Sequence, residues 1–170
     1  MEASARRKAI SAALAAADAP VSASALAARF SVSRQVIVGD IALLRAAGAD
    51  ISATPRGYVL SRKAPGVIRT VACRHTLDGT EQELLIMVDN GCTVLDVVVE
   101  HPVYGQLSGQ LQLSSRYDVA EFIRRVEKEQ ATPLSALTGG VHLHRLRCPD
   151  EAACRRVRQA LDEAGFLVKE

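Results

Sequence analysis

The apolar positions fall into two regimes along the chain. Up to about residue 60 they recur at helical spacing. Ile10, Leu14 and Ala17 make one stripe in the Ala-rich segment 4–18, and Leu26, Ala27 and Phe30 make a second, shorter one opened by Ser22 or Ser24. Val36, Ile37, Ile41, Leu44 and Ala47 make a third, with Ser33 at its cap position and Gly48 where a helix C-terminal glycine belongs. Short β candidates follow at Ile51–Thr54 and Tyr58–Leu60, joined by Thr54-Pro55-Arg56-Gly57. Three helices and a hairpin within some sixty residues predict a winged helix-turn-helix.

From Val67 onward the pattern changes to strands and helices in alternation. Strands are expected at Val67–His75, Thr93–Val99, Tyr104–Leu113 and Val141–Arg147. Helices are expected after Thr80-Glu81-Gln82-Glu83, which reads as a capping box, over residues 117–130, and after Pro149-Asp150. The order β-α-β-β-α-β-α predicts an α+β sandwich of ferredoxin-like type, an antiparallel sheet with helices on one face. The Pro-Gly-broken stretch Ser61–Gly66 is the expected linker, dividing the chain into 1–63 and 67–170.

Composition sharpens this division. The 170 residues carry a net charge of only +2. Residues 1–63 hold nine Lys/Arg and four Asp/Glu, a net +5, and the remainder is at −3. A basic front half suits DNA. No apolar run reaches a membrane span and the N-terminus lacks the apolar stretch of a signal peptide, so a cytoplasmic protein is expected. Cys73, Cys92, Cys148 and Cys154 form no CxxC pair and read as reduced thiols.

Two groups of residues carry candidate chemistry. On the third helix, Ser33, Arg34 and Gln35 form an exposed, polar start. Arg reaches guanine O6 and N7 and Gln reaches adenine N6 and N7, while Arg56 at the hairpin tip suits phosphate or the minor groove. In the second half lie all four histidines. His142 and His144, two apart on a strand, point to one face. His75 ends another strand, and Glu83 lies in the first turn of the next helix. Three imidazoles and a carboxylate suit zinc, nickel, iron or manganese. The competing reading is a polar strand face, with Glu83 serving as a helix cap. His101 follows a strand beside the aromatic Tyr104. No nucleophile elbow or phosphate loop is present, and no enzyme is expected.

The segments SRQVIVGDIALLRAAG, ATPRGYVL, EHPVYGQL and GGVHLHRL resemble the nicotinate-responsive transcriptional repressors of NiaR type, built from a winged helix-turn-helix and a three-histidine (3H) domain. The resemblance covers nearly the whole chain. It implies a dimeric repressor of genes for NAD synthesis or niacin uptake that binds operator DNA with nicotinic acid as co-repressor. It also implies one divalent metal per chain. Position by position it carries the metal roles onto His75, Glu83, His142 and His144, and places His101, with Tyr104, nearest the effector. The turn Leu77-Asp78-Gly79-Thr80 and Gly39 depart from the family's pattern. Two other functions compete: a repressor for which the metal itself is the signal, and a metalloenzyme acting on a small pyridine compound.

Overall fold

The computed structural model describes residues 2–61 and 65–169, so part of the expected linker lies outside the described residues. The chain forms two compact units, Met1–Lys63 and Ala64–Glu170.

The first unit holds α1 (Ala3–Ala16), α2 (Ala23–Phe30), α3 (Arg34–Ala46), β1 (Ile51–Thr54) and β2 (Gly57–Leu60). Ser22 and Ser33 cap α2 and α3 by accepting from the amides of Ala25 and Val36. This satisfies donors that the first helical turn otherwise leaves unpaired. Ile10, Leu14, Leu26, Ile37, Ile41 and Ile51 form the core. The β1–β2 hairpin gains a third strand segment, because Val21 pairs with Tyr58. Gly57 permits that approach: a Cβ there would stand 2.4 Å from the Val21 carbonyl oxygen. One expected core position is corrected. Val36 is 38% exposed, and the buried place one turn along α3 belongs to Asp40. Arg6 and Arg7 from α1 meet that carboxylate, with Arg6 Nε at 2.6 Å. A charged residue is thereby held inside the helix packing, where the apolar period alone would not place it.

The second unit runs β3 (Val67–Arg74), α4 (Thr80–Asp89), β4 (Thr93–His101), β5 (Gly105–Leu113), α5 (Arg116–Lys128), β6 (Val141–Cys148) and α6 (Glu151–Glu163). Short 3-10 turns at Leu77–Gly79 and Leu134–Thr138 precede α4 and β6. The sheet is antiparallel in the order β3-β6-β4-β5. Both β-α-β connections are split by a strand and the unit is α+β as expected, but the order is not the expected ferredoxin-like one, in which the third strand, here β5, stands in the gap between the first two. The strand between β3 and β4 is β6, which leaves β5 on an edge. Val71, Cys73, Val94, Leu111, Leu113, Leu146 and Cys148 alternate onto one sheet face. There they pack with Leu84, Met87, Val119, Val157 and Leu161 from the helices. No helix among the described residues is long and apolar enough to cross a membrane.

The expected capping box at Thr80 does not form. The N-cap of α4 is Gly79, no side chain caps it, and the Thr80 hydroxyl is buried without a partner. The reason is that the Glu83 carboxylate has stronger partners elsewhere.

Candidate metal centre and nucleic-acid interface

The alternation of β6 puts His142 and His144 on the same face as Leu146 and Cys148, beneath the helices, and both are 3% exposed. The sheet register sets His144 between Val71 and Val97, and His142 beside Cys73. His75 follows β3 directly. Its position is fixed by Gly140, which at φ +90° passes so close that a Cβ would stand 2.3 Å from the His75 carbonyl oxygen. Glu83, 1% exposed, reaches down from α4 into the space between these rings.

All three imidazoles turn Nε2 toward that one carboxylate. His75 lies 2.8 Å from Oε2, His142 3.1 and 3.2 Å from the two oxygens, and His144 3.3 Å from Oε2. The ligand atoms of His75, Glu83 and His142 all lie within 4.8 Å of one another, and His144 joins through Glu83. Each Nδ1 faces a backbone carbonyl oxygen: Thr76 for His75, Gly140 for His142, Asp96 for His144, at 2.7–2.8 Å. A carbonyl only accepts, so each Nδ1 carries the proton and donates. Every neutral ring therefore presents a bare Nε2 lone pair to a carboxylate. Without a cation such an arrangement is repulsive, and it becomes attractive when protons or a metal ion fill it.

The donor set fits a divalent ion. Ligands about 2.0–2.2 Å from one ion stand roughly 3–3.5 Å from each other, and the Nε2-to-carboxylate separations fall near that range. An Nδ1–H held by a backbone carbonyl is the usual support of a metal-ligating histidine. Burial pushes Glu83 up, but the hydrogen bonds that His142, His144 and His75 donate once Nε2 is also protonated outweigh it and hold the carboxyl well below its usual range. Burial lowers His75, yet its bond to Glu83, its contact with Thr76 and the Glu83 charge leave it raised. Both shifts describe a carboxylate demanding positive charge. An open cleft of about 500 Å3 adjoins His75, lined also by Arg74, Leu77, Ser135, Ala136 and Gly140. The 3-10 turn at Leu134–Thr138 that walls it carried no periodic signal in the sequence.

His101 and Tyr104 are not brought to this cluster's hydrogen bonds. They sit at the β4–β5 turn with ring centroids 5.0 Å apart. His101 Nδ1 accepts from the amides of Val103 and Tyr104, and Tyr104 is 74% exposed.

In the first unit Ser33, Arg34 and Gln35 are exposed at the start of α3. Ser33 spends its hydroxyl as the cap. Arg56 lies half-buried in the turn of the β1–β2 hairpin, its amide donating to Thr54 Oγ1. Arg45 ties α3 to the hairpin: its Nε donates to the Ile51 carbonyl at 2.7 Å and its guanidinium lies over Tyr58.

A helix-turn-helix unit followed by a sheet-and-helix unit with a buried His/Glu cluster defines a two-domain transcription regulator. Residues 6–59 match the family model of an HTH domain, and residues 68–170 that of the 3H domain. A probable transcription repressor NiaR of Thermotoga maritima is 48% identical over 151 residues, 89% of this chain and 86% of the relative. A transcription repressor NadR of Bacillus subtilis is 45% identical over 155 residues, with the same coverage. The chain belongs to the NiaR-type family of transcription repressors. It is a DNA-binding repressor and not an enzyme.

Proposed function

We propose that the chain represses genes of NAD synthesis or niacin uptake in the cytoplasm, as a homodimer whose co-repressor is nicotinic acid. The observation that supports this most is the convergence of three bare Nε2 atoms on Glu83 beside an open cleft. His75, Glu83, His142 and His144 hold one divalent transition ion. That ion supplies a positive centre, which a small, flat, anionic pyridine acid requires, and Arg74 on the cleft adds a second. His101 and Tyr104 offer an exposed ring pair as a further effector contact. Arg34 and Gln35 read bases, and Arg56 contacts the DNA backbone. One recognition helix covers half a site, so a dimer on a palindromic operator is required for tight binding.

Operator affinity in four conditions tests the reading: with and without nicotinic acid, before and after metal removal. Nicotinic acid should tighten binding by about 5–150-fold in the metal-loaded protein only. Equal affinity in all four conditions would overturn it. Tightening by metal alone would make the ion the signal. Arg34→Ala and Gln35→Ala should each weaken specific binding by roughly 1–3 kcal/mol. Arg56→Ala should weaken all sequences alike and reduce the salt slope by about one. Unchanged operator affinity would remove each residue from its role.

A further inference from the structure

Gly39 stands in the interior of α3, where glycine is a poor helix former beside alanine. Two circumstances ordinarily call for glycine: a left-handed backbone, or a neighbour that a Cβ would strike. Gly57 and Gly140 meet both. Gly39 meets neither. It has no positive φ, and a Cβ there would meet nothing within 4 Å among the described residues beyond the helix's own backbone.

The surface around it is unusual as well. Residues three and four positions away are neighbours on a helix. For Gly39 these are Gln35, Val36, Ala42 and Leu43, and all four are exposed. Val36 is 38% and Leu43 55% exposed, on a helix whose inner face is filled by Ile37, Asp40 and Ile41. Polar side chains are the ordinary occupants of an outer face. Here the outer face carries a shallow notch, floored by the Gly39 backbone, with an apolar rim on three sides and the Gln35 amide on the fourth.

We propose that this notch receives the C5-methyl group of a thymine, which makes Gly39 a specificity-determining position for an A·T pair. The inference rests on the reading above that α3 lies in the major groove. The occupant follows from the chemistry. The unit is the helix-turn-helix of a DNA-binding repressor and carries the chain's excess of basic residues. Among the groups that base edges expose in the major groove, the thymine methyl is the apolar one, and the partner of thymine is the adenine whose N6 and N7 suit Gln35. Four residues of helix rise by about 6 Å and successive base pairs by about 3.4 Å, so Gln35 and the notch address pairs within about two steps of each other. A side chain at position 39 would hold α3 away from the bases. The missing Cβ lets the methyl reach Val36, Ala42 and Leu43.

The test uses the full-length protein and a duplex that the wild-type chain selects from a random-sequence pool. Each thymine of the half-site is replaced in turn by uracil, which lacks only the methyl. The adenine read by Gln35 is located by the preference that Gln35→Ala loses. At one thymine within about two pairs of it, uracil should weaken wild-type binding about fourfold, the worth of burying one methyl. Gly39→Ala should keep or raise the Tm, because its Cβ strikes nothing and favours the helix. It should nevertheless bind the selected duplex at least about fivefold more weakly, as overfilling a packed contact does. The uracil duplex should recover part of that loss, since removing the methyl makes room for the Cβ. A glycine with a purely structural role would give no such rescue. The proposal alone is overturned if no thymine shows the loss, if Gly39→Ala binds the thymine duplex with wild-type affinity, or if uracil weakens both proteins alike. Selection of the wild-type sequence by both Arg34→Ala and Gln35→Ala would overturn base reading by α3, and this proposal with it.

Discussion

Asp40 and Glu83 are both carboxylates buried on helices, at 4% and 1% exposure, yet they do different work. Asp40 faces Arg6 and Arg7, whose charge is permanent. That site is closed, and it pins α3 to α1. Glu83 faces three imidazoles whose charge is optional and whose other nitrogens are already committed to backbone carbonyls. That site is complete only when protons or a cation supply the charge. A buried acid is thus closed off, or left able to take a cation, according to whether its partners' charge is permanent or optional.

The sharpest way to break this contrast is to neutralise each acid. Glu83→Gln should lower divalent metal affinity by more than the roughly 10–100-fold expected for loss of a supporting residue. Elemental analysis after dialysis should find little metal. Asp40→Asn should leave metal content unchanged and lower the Tm by about 5 °C. It should also weaken operator binding, because α3 loses its tie to α1. Metal loss in the Asp40 variant would show that the two acids are not independent.

Acidity separates them next. The His75 pKa is raised above its usual 6.5, so its attraction to Glu83 is full below that value and is lost as pH rises through the raised one. Glu83 is held below its usual 4.5, so its contribution is full above 4.5 and is lost as pH falls. The metal-free pair is therefore strongest between 4.5 and 6.5. Metal needs bare Nε2 atoms and gains as protons leave. The Tm difference between loaded and metal-free protein should widen from pH 5.5 to 8, roughly tenfold in metal affinity per proton displaced and pH unit. A gap independent of pH would contradict the proton-for-metal exchange. The smallest effect is expected at Thr80. Thr80→Val removes an unpartnered buried hydroxyl and should change stability by less than about 0.5 kcal/mol. A loss near 1 kcal/mol would restore the capping role.

Much of this was legible in the sequence because periodicity reports packing. Ile37 and Ile41 stand inside as their spacing required, and Ser33 caps as its position required. The i, i+2 spacing of His142 and His144 correctly put both on one face. Asp40 was invisible because its burial depends on arginines 33–34 residues away, which no local pattern encodes. Glu83 was visible with two meanings, a cap and a ligand, and only the tertiary approach of three rings separates them. The cleft beside His75 was hidden for the same reason, since its walls come from residues 74–77 and 135–140. The strand order is also long-range: a β-α-β-β-α-β pattern leaves open which strand enters the gap between β3 and β4.

The most direct measurement is X-ray absorption at the edge of the metal bound by the full-length protein, loaded to one divalent ion per chain. A shell of nitrogen and oxygen only, with the outer scattering of about three imidazoles, is the expected result for His75, Glu83, His142 and His144. Sulfur in the shell, or the same spectrum from the His142→Ala, His144→Ala variant, would contradict the account.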